Sequence, residues 1–344
     1  MVMEINKFAR EYPSVSVIIP VRNEEKHIVR CIRNVMETSY PAGSIEIIVI
    51  DGLSTDDTQG QAQTLKTEGH NIVLLSNPKM TPYSGLNKGL MAAKGEVILR
   101  VDARSVCPPD YVKQCVDTLL ETGADNVGGV QKPVGQTPKQ QAIALAMSHP
   151  FGVGNAQFRL GKKSGYVDTV YLGCFRKTIF EKTGLYDEDG PVISEDSEMN
   201  QRIIKNGGTV YLNKDIIVSY VAKDSLKDFW RQYLIYGGAR AHSFLRSKRF
   251  TSLRQIVPLV FLACLVTLPV LSFLNTGFLV LWGLIVATYA IFDFVVAAGI
   301  TLKQKNPNLF GWLLLTFPCM HIAWPLGFFV RMFEGSRPGS HWRK

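Results

Sequence analysis

The feature that most constrains the fold is an alternation of short apolar runs with amphipathic stretches across residues 14–102. Four runs are rich in β-branched residues and have the length of buried strands. They cover residues 15–20, 45–50, 71–75 and 97–101. Between them, apolar residues recur at helical spacing. Strand and helix in alternation are typical of a parallel sheet with helical crossovers, so the sequence predicts an α/β fold.

Two of the predicted strands run directly into an aspartate. Asp51 follows the second strand, and Asp102 follows the fourth, in the sequence GEVILRVDARS. Open α/β sheets bind ligands at the carboxyl edge of their strands, so we expect both carboxylates there. A dinucleotide-binding domain is the competing interpretation. It is disfavoured because no GxGxxG sequence follows the first strand and the chain has no GxxxxGK[ST] sequence.

The 344-residue chain has a formal net charge of +9, which favours an anionic partner: nucleic acid, an anionic membrane surface or a phosphorylated substrate. Its six cysteines are scattered without a CxxC pair, which argues against a zinc site or a disulfide framework and favours reduced thiols facing the cytosol. The stretch before residue 15 is too polar for the apolar core of a signal peptide. Composition therefore narrows the partner and the compartment without identifying a reaction.

Four short motifs follow one another along the chain: PVRNEE, DGLSTDDT, GLNKGLMAAKGEVILRVDA and the SED of VISEDSEMNQRI. In this order they resemble the motif series of family-two inverting glycosyltransferases. The sequence VDTVYLGCFRKTIFEKTGLYDED before the SED is most similar to succinoglycan-type membrane-associated glucosyltransferases. The resemblance covers residues 14–240 and the apolar C-terminal part. It implies a nucleotide-sugar-binding α/β sandwich of the GT-A type, with a mainly parallel sheet, followed by C-terminal transmembrane helices.

Carried over residue by residue, the resemblance places Pro20, Arg22 and Glu24 beside the nucleoside of the donor. It places Asp51 on the base, where a carboxylate accepts the imide N–H of uracil. The alternative for Asp51 is a side chain that caps its own turn. Asp102 matches the first acid of the family's DxD motif, which contacts the ribose or the metal on the diphosphate. The implied donor is a UDP-sugar.

Where the DxD motif has its second acid, this chain has Arg104, which cannot ligate a metal. A divalent cation normally neutralises charge on the leaving diphosphate, and hard cations prefer oxygen ligands. We therefore predict Mg²⁺ or Mn²⁺ held by Asp102, diphosphate and water. In the alternative, Arg104 itself grips the phosphate oxygens as a fixed charge. Arg104 also motivates a different class of protein, a membrane-anchored nucleotide-sugar binder without catalysis.

Glu195 and Asp196 stand at the start of a helical stretch, SEDSEMNQRIIKNG. The helix dipole alone would explain two acids at this position. The resemblance implies catalysis instead, with Asp196 as the base that takes the proton of the acceptor hydroxyl and Glu195 as a group that orients it or contacts the acceptor. One base is enough, because a single displacement inverts the sugar and forms no glycosyl-enzyme intermediate.

Residues 223–255 combine aromatic and basic side chains, which is typical of amphipathic helices at a membrane interface. A nucleic-acid surface would use the same residue types, but the apolar segments that follow favour lipid, and we expect no nucleic-acid partner. Gln232 lies here and matches the first residue of a QxxRW motif in related synthases, with Ile235 where the arginine would stand. Arg231 and Arg240 are the candidate substitutes for that guanidinium.

Three apolar segments follow as candidate membrane spans, at residues 256–274, 277–299 and 309–330. The basic residues before the first segment predict a multi-pass protein of the cell membrane with a cytoplasmic catalytic domain. A third full crossing would place the basic tail outside, so we expect Pro318 and Pro325 to break that segment into a re-entrant hairpin. The alternative is a third full crossing that violates the charge bias. The predicted divisions are a glycosyltransferase domain, interfacial helices, a membrane domain and a tail, at 1–222, 223–255, 256–332 and 333–344.

We therefore expect an inverting transferase that moves a hexose from a UDP-sugar to a lipid-linked or growing saccharide at the cytoplasmic membrane face. The succinoglycan-type resemblance implies glucose as the hexose and exopolysaccharide or glycan synthesis as the process. Transfer to a polyprenyl phosphate is the alternative. There the acceptor is already an anion, so the two reactions differ in how strongly they need Asp196 as a base.

Overall fold

The computed structural model describes residues 12–188, 195–248, 250 and 253–334. Within these ranges nine strands form one sheet: β1 Val15–Val21, β2 Ile45–Asp51, β3 Ile72–Ser76, β4 Val97–Arg100, β5 Ser105–Val106, β6 Asn126–Val134, β7 Gly165–Tyr166, β8 Tyr171–Arg176 and β9 Val210–Val221. The four strands predicted for the N-terminal part agree with β1 to β4 to within one residue at each end. Of the predicted basic tail at 333–344, residues 335–344 lie outside the described residues.

The strands are arranged in the order β3–β2–β1–β4–β8–β6–β9–β5, and β7 also pairs with β9. β1 is parallel to β2 and β4, and β2 is parallel to β3. Beyond β4 the sheet is mixed, because β8 is antiparallel to β4 and β6 while β6 is parallel to β9. The predicted α/β fold is confirmed, and its parallel part carries the first three motifs.

Thirteen α-helices occur in the described residues: α1 Ile28–Met36, α2 Thr58–Thr67, α3 Pro82–Ala92, α4 Tyr111–Thr122, α5 Pro138–Ala146, α6 Pro150–Val153, α7 Gln157–Leu160, α8 Ile179–Thr183, α9 Glu195–Lys205, α10 Leu226–Ser247, α11 Ile256–Leu271, α12 Gly277–Gln304 and α13 Phe310–Glu334. Helices α1, α2 and α4 cover one face of the sheet, and α3, α8 and α9 cover the other. Val17 and Ile19 pack in the first layer and Ile18 in the second. Since both faces are buried, the strands are continuous apolar runs.

The strand register brings the ends of the parallel strands to one edge. Val21 lies opposite Asp51, and Asp51 lies opposite Ser76. On the other side of β1, Arg100 is the last residue of β4, and Asp102 follows two residues later. Loops that follow the parallel strands therefore start from this one edge, where the predicted donor residues stand.

The helices at the C-terminal end differ in how much of their apolar surface is buried within the protein. α12 has 28 residues, and its most apolar 18-residue stretch has a mean hydropathy of 2.2 and is only 6% buried. In the segment Pro307–Glu334, which contains α13, the corresponding stretch has a mean hydropathy of 1.7 and is half buried. By length and composition both are able to cross a membrane, whereas α11 is shorter, with 16 residues.

α13 corrects the prediction of a re-entrant hairpin. The helix continues without a break from Phe310 to Glu334, with Pro318 and Pro325 inside it. Prolines are tolerated in apolar helices where neighbouring helices support the backbone, and α13 packs along α10 and against α5. The prolines therefore mark a supported helix rather than a break.

α10 and α13 approach each other closely because glycines lie between them. An added Cβ at Gly237 would overlap the carbonyl group of Trp324, and one at Gly327 would overlap that of Leu234. Phe229 of α10 is fully buried in the cluster that α10 forms with α5 and α13. Part of the aromatic side that the sequence predicted to face lipid thus packs inside the protein.

Candidate active site

A buried arginine at the end of β4 organises the site. Arg100, which is 5% exposed, donates to Asp102 Oδ1 through Nε at 3.1 Å and through Nη2 at 3.0 Å. Its Nη2 also donates to Glu195 Oε1 at 2.6 Å, and its Nη1 donates to Asp196 Oδ1. Because Asp102 follows β4 while the other two acids form the first turn of α9, the sheet edge and a helix start meet on one guanidinium.

These four residues, which we name the Arg100 group, hold three carboxylates around one cation. Burial raises the pKa of Asp196 above its ordinary value; Arg100 opposes this rise, and Glu195 and Asp102 add to it. Burial acts against the charge of Arg100, but the three carboxylates hold its pKa above the usual range. A carboxylate with a raised pKa beside a cavity has the properties of a general base.

A cavity of about 330 Å³, the smaller cavity, opens on the Arg100 group. The structure brings predicted donor residues together in its lining: Pro20, Arg22, Glu24, Asp102 and Arg104. Arg104, with a side chain 55% exposed, donates through Nε to Glu24 Oε1 at 2.8 Å. Ion pairs at exposed positions are weak, so a phosphate entering this cavity can compete with Glu24 for the guanidinium.

Asp51 is buried and does not line the smaller cavity, although its neighbours Ile50 and Gly52 do. Its Oδ2 accepts from the Ser54 backbone N–H at 3.0 Å and from Gln59 Nε2 at 2.6 Å, and its Oδ1 accepts from the Ser54 hydroxyl. These bonds are those of a turn cap, the alternative that the sequence left open. Binding of uracil by Asp51 stays a prediction.

A larger cavity of about 740 Å³ adjoins the smaller one. The two share five lining residues: Arg100, Asp102, Tyr171, Glu195 and Tyr220. Asp196 lines the larger cavity, which continues past α10 to side chains of α11, α12 and α13. The Arg100 group therefore stands between a small cavity at the strand ends and a large one that reaches the apolar helices.

Gln232 lies behind this boundary. Its Nε2 donates to the Tyr236 hydroxyl at 2.8 Å and to the Tyr220 hydroxyl at 3.3 Å. Both tyrosines line the larger cavity, so the described contacts of Gln232 position the wall of that cavity. Of the two candidate substitutes for the missing guanidinium, Arg240 lines the larger cavity, whereas Arg231 is exposed on α10.

The described residues contain no group of three or more His, Cys, Asp or Glu side chains arranged to hold a metal ion. Asp102 Oδ1 accepts from Arg100, and no hydrogen bond within the described ranges reaches Oδ2. One open carboxylate oxygen beside a cavity fits a cation that takes its other ligands from diphosphate and water, as Mg²⁺ commonly does. The residues present therefore fit the predicted cation through Asp102 alone.

The sequence interpretation missed Arg100, Tyr171 and Tyr220. Arg100 carried a signal, because it is a charged residue inside an apolar run that reads as a buried strand, and buried charges are paired or functional. No pattern in the sequence indicated that Tyr171 and Tyr220 belong to the site. They reach the site because β8 and β9 lie beside β4 and β6 in the sheet.

A mixed α/β sheet with carboxylates that line two adjoining cavities agrees with a glycosyltransferase, and the protein is an enzyme of this class. Residues 16–184 match the family model described as Glycosyl transferase family 2. This part of the chain belongs to that family, as the motifs predicted.

The chain is 29% identical over 324 residues to the succinoglycan biosynthesis protein ExoA of Rhizobium meliloti, covering 93% of this chain and 96% of the relative. It is 26% identical over 330 residues to a dolichyl N-acetyl-alpha-D-glucosaminyl phosphate 3-beta-D-2,3-diacetamido-2,3-dideoxy-beta-D-glucuronosyltransferase of Methanococcus voltae, covering 94% and 98%. Mannosyltransferase PcManGT from Pyrobaculum calidifontis, solved with GDP-Man and Mn²⁺, superposes with a TM-score of 0.62 at 17% identity, covering 94% and 88%. The predicted GT-A type fold and the succinoglycan-type similarity are confirmed.

Proposed function

We propose that the protein is an inverting glycosyltransferase that moves a hexose, glucose by its similarity to the succinoglycan protein, from a UDP-sugar to a lipid-linked or growing saccharide. The observation that carries this proposal is the pair of cavities that adjoin at the Arg100 group. A transferase has to bring two substrates to one reacting bond. The smaller cavity suits the donor and the larger one the acceptor, whereas a nucleotide-sugar binder would need only the first.

The charged groups of the smaller cavity support a nucleoside diphosphate as its ligand. Arg22 and Arg104 line it and are suited to donate to phosphate oxygens. Mg²⁺ or Mn²⁺ held by Asp102 would neutralise charge on the leaving diphosphate, and the mannosyltransferase that shares the fold was solved with Mn²⁺. Asp51 accepts three hydrogen bonds and stands between Ile50 and Gly52 of the cavity lining, so the N–H of uracil would reach its remaining lone pair only through a shift of the turn after β2.

The chemistry proposed for the Arg100 group is a single displacement. The acceptor hydroxyl oxygen forms a bond to the anomeric carbon while the bond to the diphosphate breaks, and the hydroxyl proton passes to Asp196. Arg100 opposes the effect of burial and so favours the ionised, proton-accepting form of Asp196. Glu195 binds the same guanidinium and acts by positioning it. UDP is the leaving group, and the sugar configuration inverts.

We place the membrane attachment on α11 and α12. Both helices are apolar, and basic residues flank them on one side, Arg254 before α11 and Lys303 at the end of α12. α11 has only 16 residues, so its crossing would have to include residues 272–274, whereas α13 stays against the protein because half of its apolar window is buried. Two such crossings return the chain to the side it left, and Arg331 near the end of α13 contacts His242 of α10 at 3.4 Å. This arrangement would keep the catalytic domain and the end of α13 on the cytoplasmic side.

Labelling tests the orientation. Phe333 is 90% exposed at the end of α13, so a Phe333→Cys variant offers an accessible thiol there. We expect a membrane-impermeant maleimide to label it only after the cells are permeabilised. Labelling of intact cells would place the end of α13 outside and contradict this arrangement.

Sugar transfer tests the proposed function. Purified full-length protein in detergent is given radiolabelled nucleotide sugars with Mn²⁺ and either a lipid-linked saccharide or a polyprenyl phosphate. We expect UDP-glucose to be used and the saccharide to be extended. Faster transfer to polyprenyl phosphate would favour the alternative acceptor, and an absence of transfer and hydrolysis with every donor would contradict the proposal.

A further inference from the structure

Besides Arg100, three arginines line the larger cavity. Arg159 belongs to α7, Arg240 to α10, and Arg254 to the short 3-10 turn Leu253–Gln255 before α11. These elements come from separate parts of the chain, and the last of them leads directly into the apolar helices. We name these three residues the arginine cluster.

One member of the arginine cluster lies in surroundings that disfavour its charge. Burial and the neighbouring charge of Arg254 lower the pKa of Arg240 to about 10, although Asp168 opposes the shift. Arg254 pairs with Asp168 at 3.1 Å. The Nη1 of Arg159 is buried and makes no hydrogen bond with the described residues. A buried guanidinium N–H without a hydrogen bond is costly, so the cluster has the character of an anion site.

The same cavity also has an apolar and aromatic lining. Phe261 of α11, Tyr289 of α12 and Trp324 of α13 contribute to it. The rings of Phe261 and Tyr289 are stacked with their centroids 4.8 Å apart. One cavity thus joins a catalytic carboxylate, a group of cations and an apolar surface from the candidate membrane helices.

We propose that the arginine cluster binds the phosphate or diphosphate of the lipid carrier, with the prenyl chain along the aromatic lining and the sugar end toward Asp196. This inference rests on the proposed function and adds the acceptor's chemical class, a saccharide on a prenyl phosphate carrier. Arginine forks match phosphate oxygens, and a prenyl chain gains from burial against apolar surface. A saccharide without a carrier would leave both parts of the cavity without a function.

The probe is geranylgeranyl diphosphate, and the measurement is its equilibrium binding to the full-length protein in detergent. Geranylgeraniol and inorganic diphosphate each supply one half of the probe, so they separate lipid binding from anion binding. The variants are Arg159→Gln and Arg240→Gln. Lys163→Gln is the matched control, because Lys163 is an exposed cation close to α7 that does not line the cavity.

We expect each arginine variant to weaken binding of geranylgeranyl diphosphate roughly tenfold or more, as for loss of a charged hydrogen bond to phosphate. Binding of geranylgeraniol should stay the same, and the Lys163 control should match the unmodified protein. Unchanged affinity in both arginine variants would overturn the inference. Inorganic diphosphate bound as tightly as the prenyl compound would overturn the lipid assignment.

The affinity for UDP, measured on the same variants, distinguishes a loss of lipid binding from a loss of folding. It should be unchanged, because the arginine cluster does not line the smaller cavity, and this shows that the variants are folded. UDP and geranylgeranyl diphosphate should also bind together. Competition between them would contradict separate sites. A failure of the proposed function would be seen elsewhere, as absence of sugar transfer by the unmodified protein.

Discussion

The two cavities that meet at the Arg100 group are built in different ways. The smaller cavity is lined mainly by residues that directly follow β1, β2, β3 and β4, so it is a product of one sheet edge. The larger cavity draws residues from β8, β9 and from helices scattered between α6 and α13. Local sequence specifies the first, and only the tertiary fold assembles the second.

Because the two cavities are built from different parts of the chain, binding of the donor and binding of the acceptor should depend on different residues. Changes at the strand ends should act on the donor, and changes in the C-terminal helices should act on the acceptor. Changes in the Arg100 group, which lines both cavities, should act on the chemistry itself. The following substitutions test this division in order of decreasing effect.

Asp196→Asn should have the largest effect. Loss of the general base should lower kcat roughly 10²–10⁴-fold, while the affinity for UDP stays the same. Glu198→Gln in the same helix is the control, because Glu198 pairs with Arg202 at 2.7 Å and should matter little. Steady-state transfer and calorimetric UDP binding check both. Nearly full turnover by the Asp196 variant would favour an acceptor that is already an anion.

Arg100→Met should be the most destabilising change, because it leaves three carboxylates together without their cation. Removing one partner of a buried ion pair costs roughly 3–5 kcal/mol. Arg104→Met removes an exposed arginine that pairs with Glu24 and should change stability by less than about 1 kcal/mol. Urea unfolding compares the two variants. Equal losses in the free energy of unfolding would contradict a stabilising role of Arg100 among the three carboxylates.

The pH profile sharpens the role of Arg100. The base works when ionised, so kcat/KM should fall as the pH drops below the raised pKa of Asp196. Because Arg100 lowers that pKa, Arg100→Lys should preserve the acidic limb better than Arg100→Met, which should move it to higher pH. A limb that stays at the same pH in both variants would contradict the coupling.

Gly237→Ala tests the acceptor side alone. The added Cβ would overlap the Trp324 carbonyl and push α10 away from α13, at a cost of roughly 1–3 kcal/mol. Gly283→Ala is the control, since nothing lies within 4 Å of its added Cβ. The unfolding temperature in detergent should fall only for Gly237→Ala. The KM of this variant for the acceptor should rise, while its affinity for UDP stays the same. A matched loss of UDP affinity would argue against separate sites.

Gln232→Ala should have the smallest effect. It removes the hydrogen bonds to the Tyr220 and Tyr236 hydroxyls, worth about 1 kcal/mol, or roughly fivefold in acceptor KM. In Gln232→Glu a carboxylate oxygen that only accepts replaces the amide N–H₂ that donates to both tyrosine hydroxyls, so this variant should not restore the activity. A loss of turnover of a hundredfold or more would instead mean that Gln232 contacts the reacting groups.

The parallel half of the fold and the lining of the smaller cavity were predictable because they depend on short-range patterns. Apolar runs end at Pro20 and Asp102, which line the smaller cavity, and at Asp51, which is buried beside it, and parallel strands bring those ends together. Asp196 needed the family resemblance as well, since two acids at a helix start have an ordinary explanation in the helix dipole. Its meeting with Asp102 on Arg100 follows from tertiary structure.

The larger cavity was not predictable, because it does not depend on short-range patterns. Arg159, Arg240 and Arg254 are far apart in the chain, and no periodic pattern links them. The hairpin prediction for α13 failed because Pro318 and Pro325 were weighed as local breakers, whereas packing along α10 supports the helix. Residues whose surroundings come from distant segments can be weighed only once those segments are in place.

A density map of the full-length Asp196→Asn variant with UDP-glucose and Mn²⁺ tests the assignment of the two cavities to donor and acceptor. We expect the uridine diphosphate part of UDP-glucose in the smaller cavity between Arg22 and Asp102, the anomeric carbon of its glucose turned toward residue 196, and the larger cavity open. A nucleotide bound in the larger cavity, or a sugar turned away from residue 196, would contradict it.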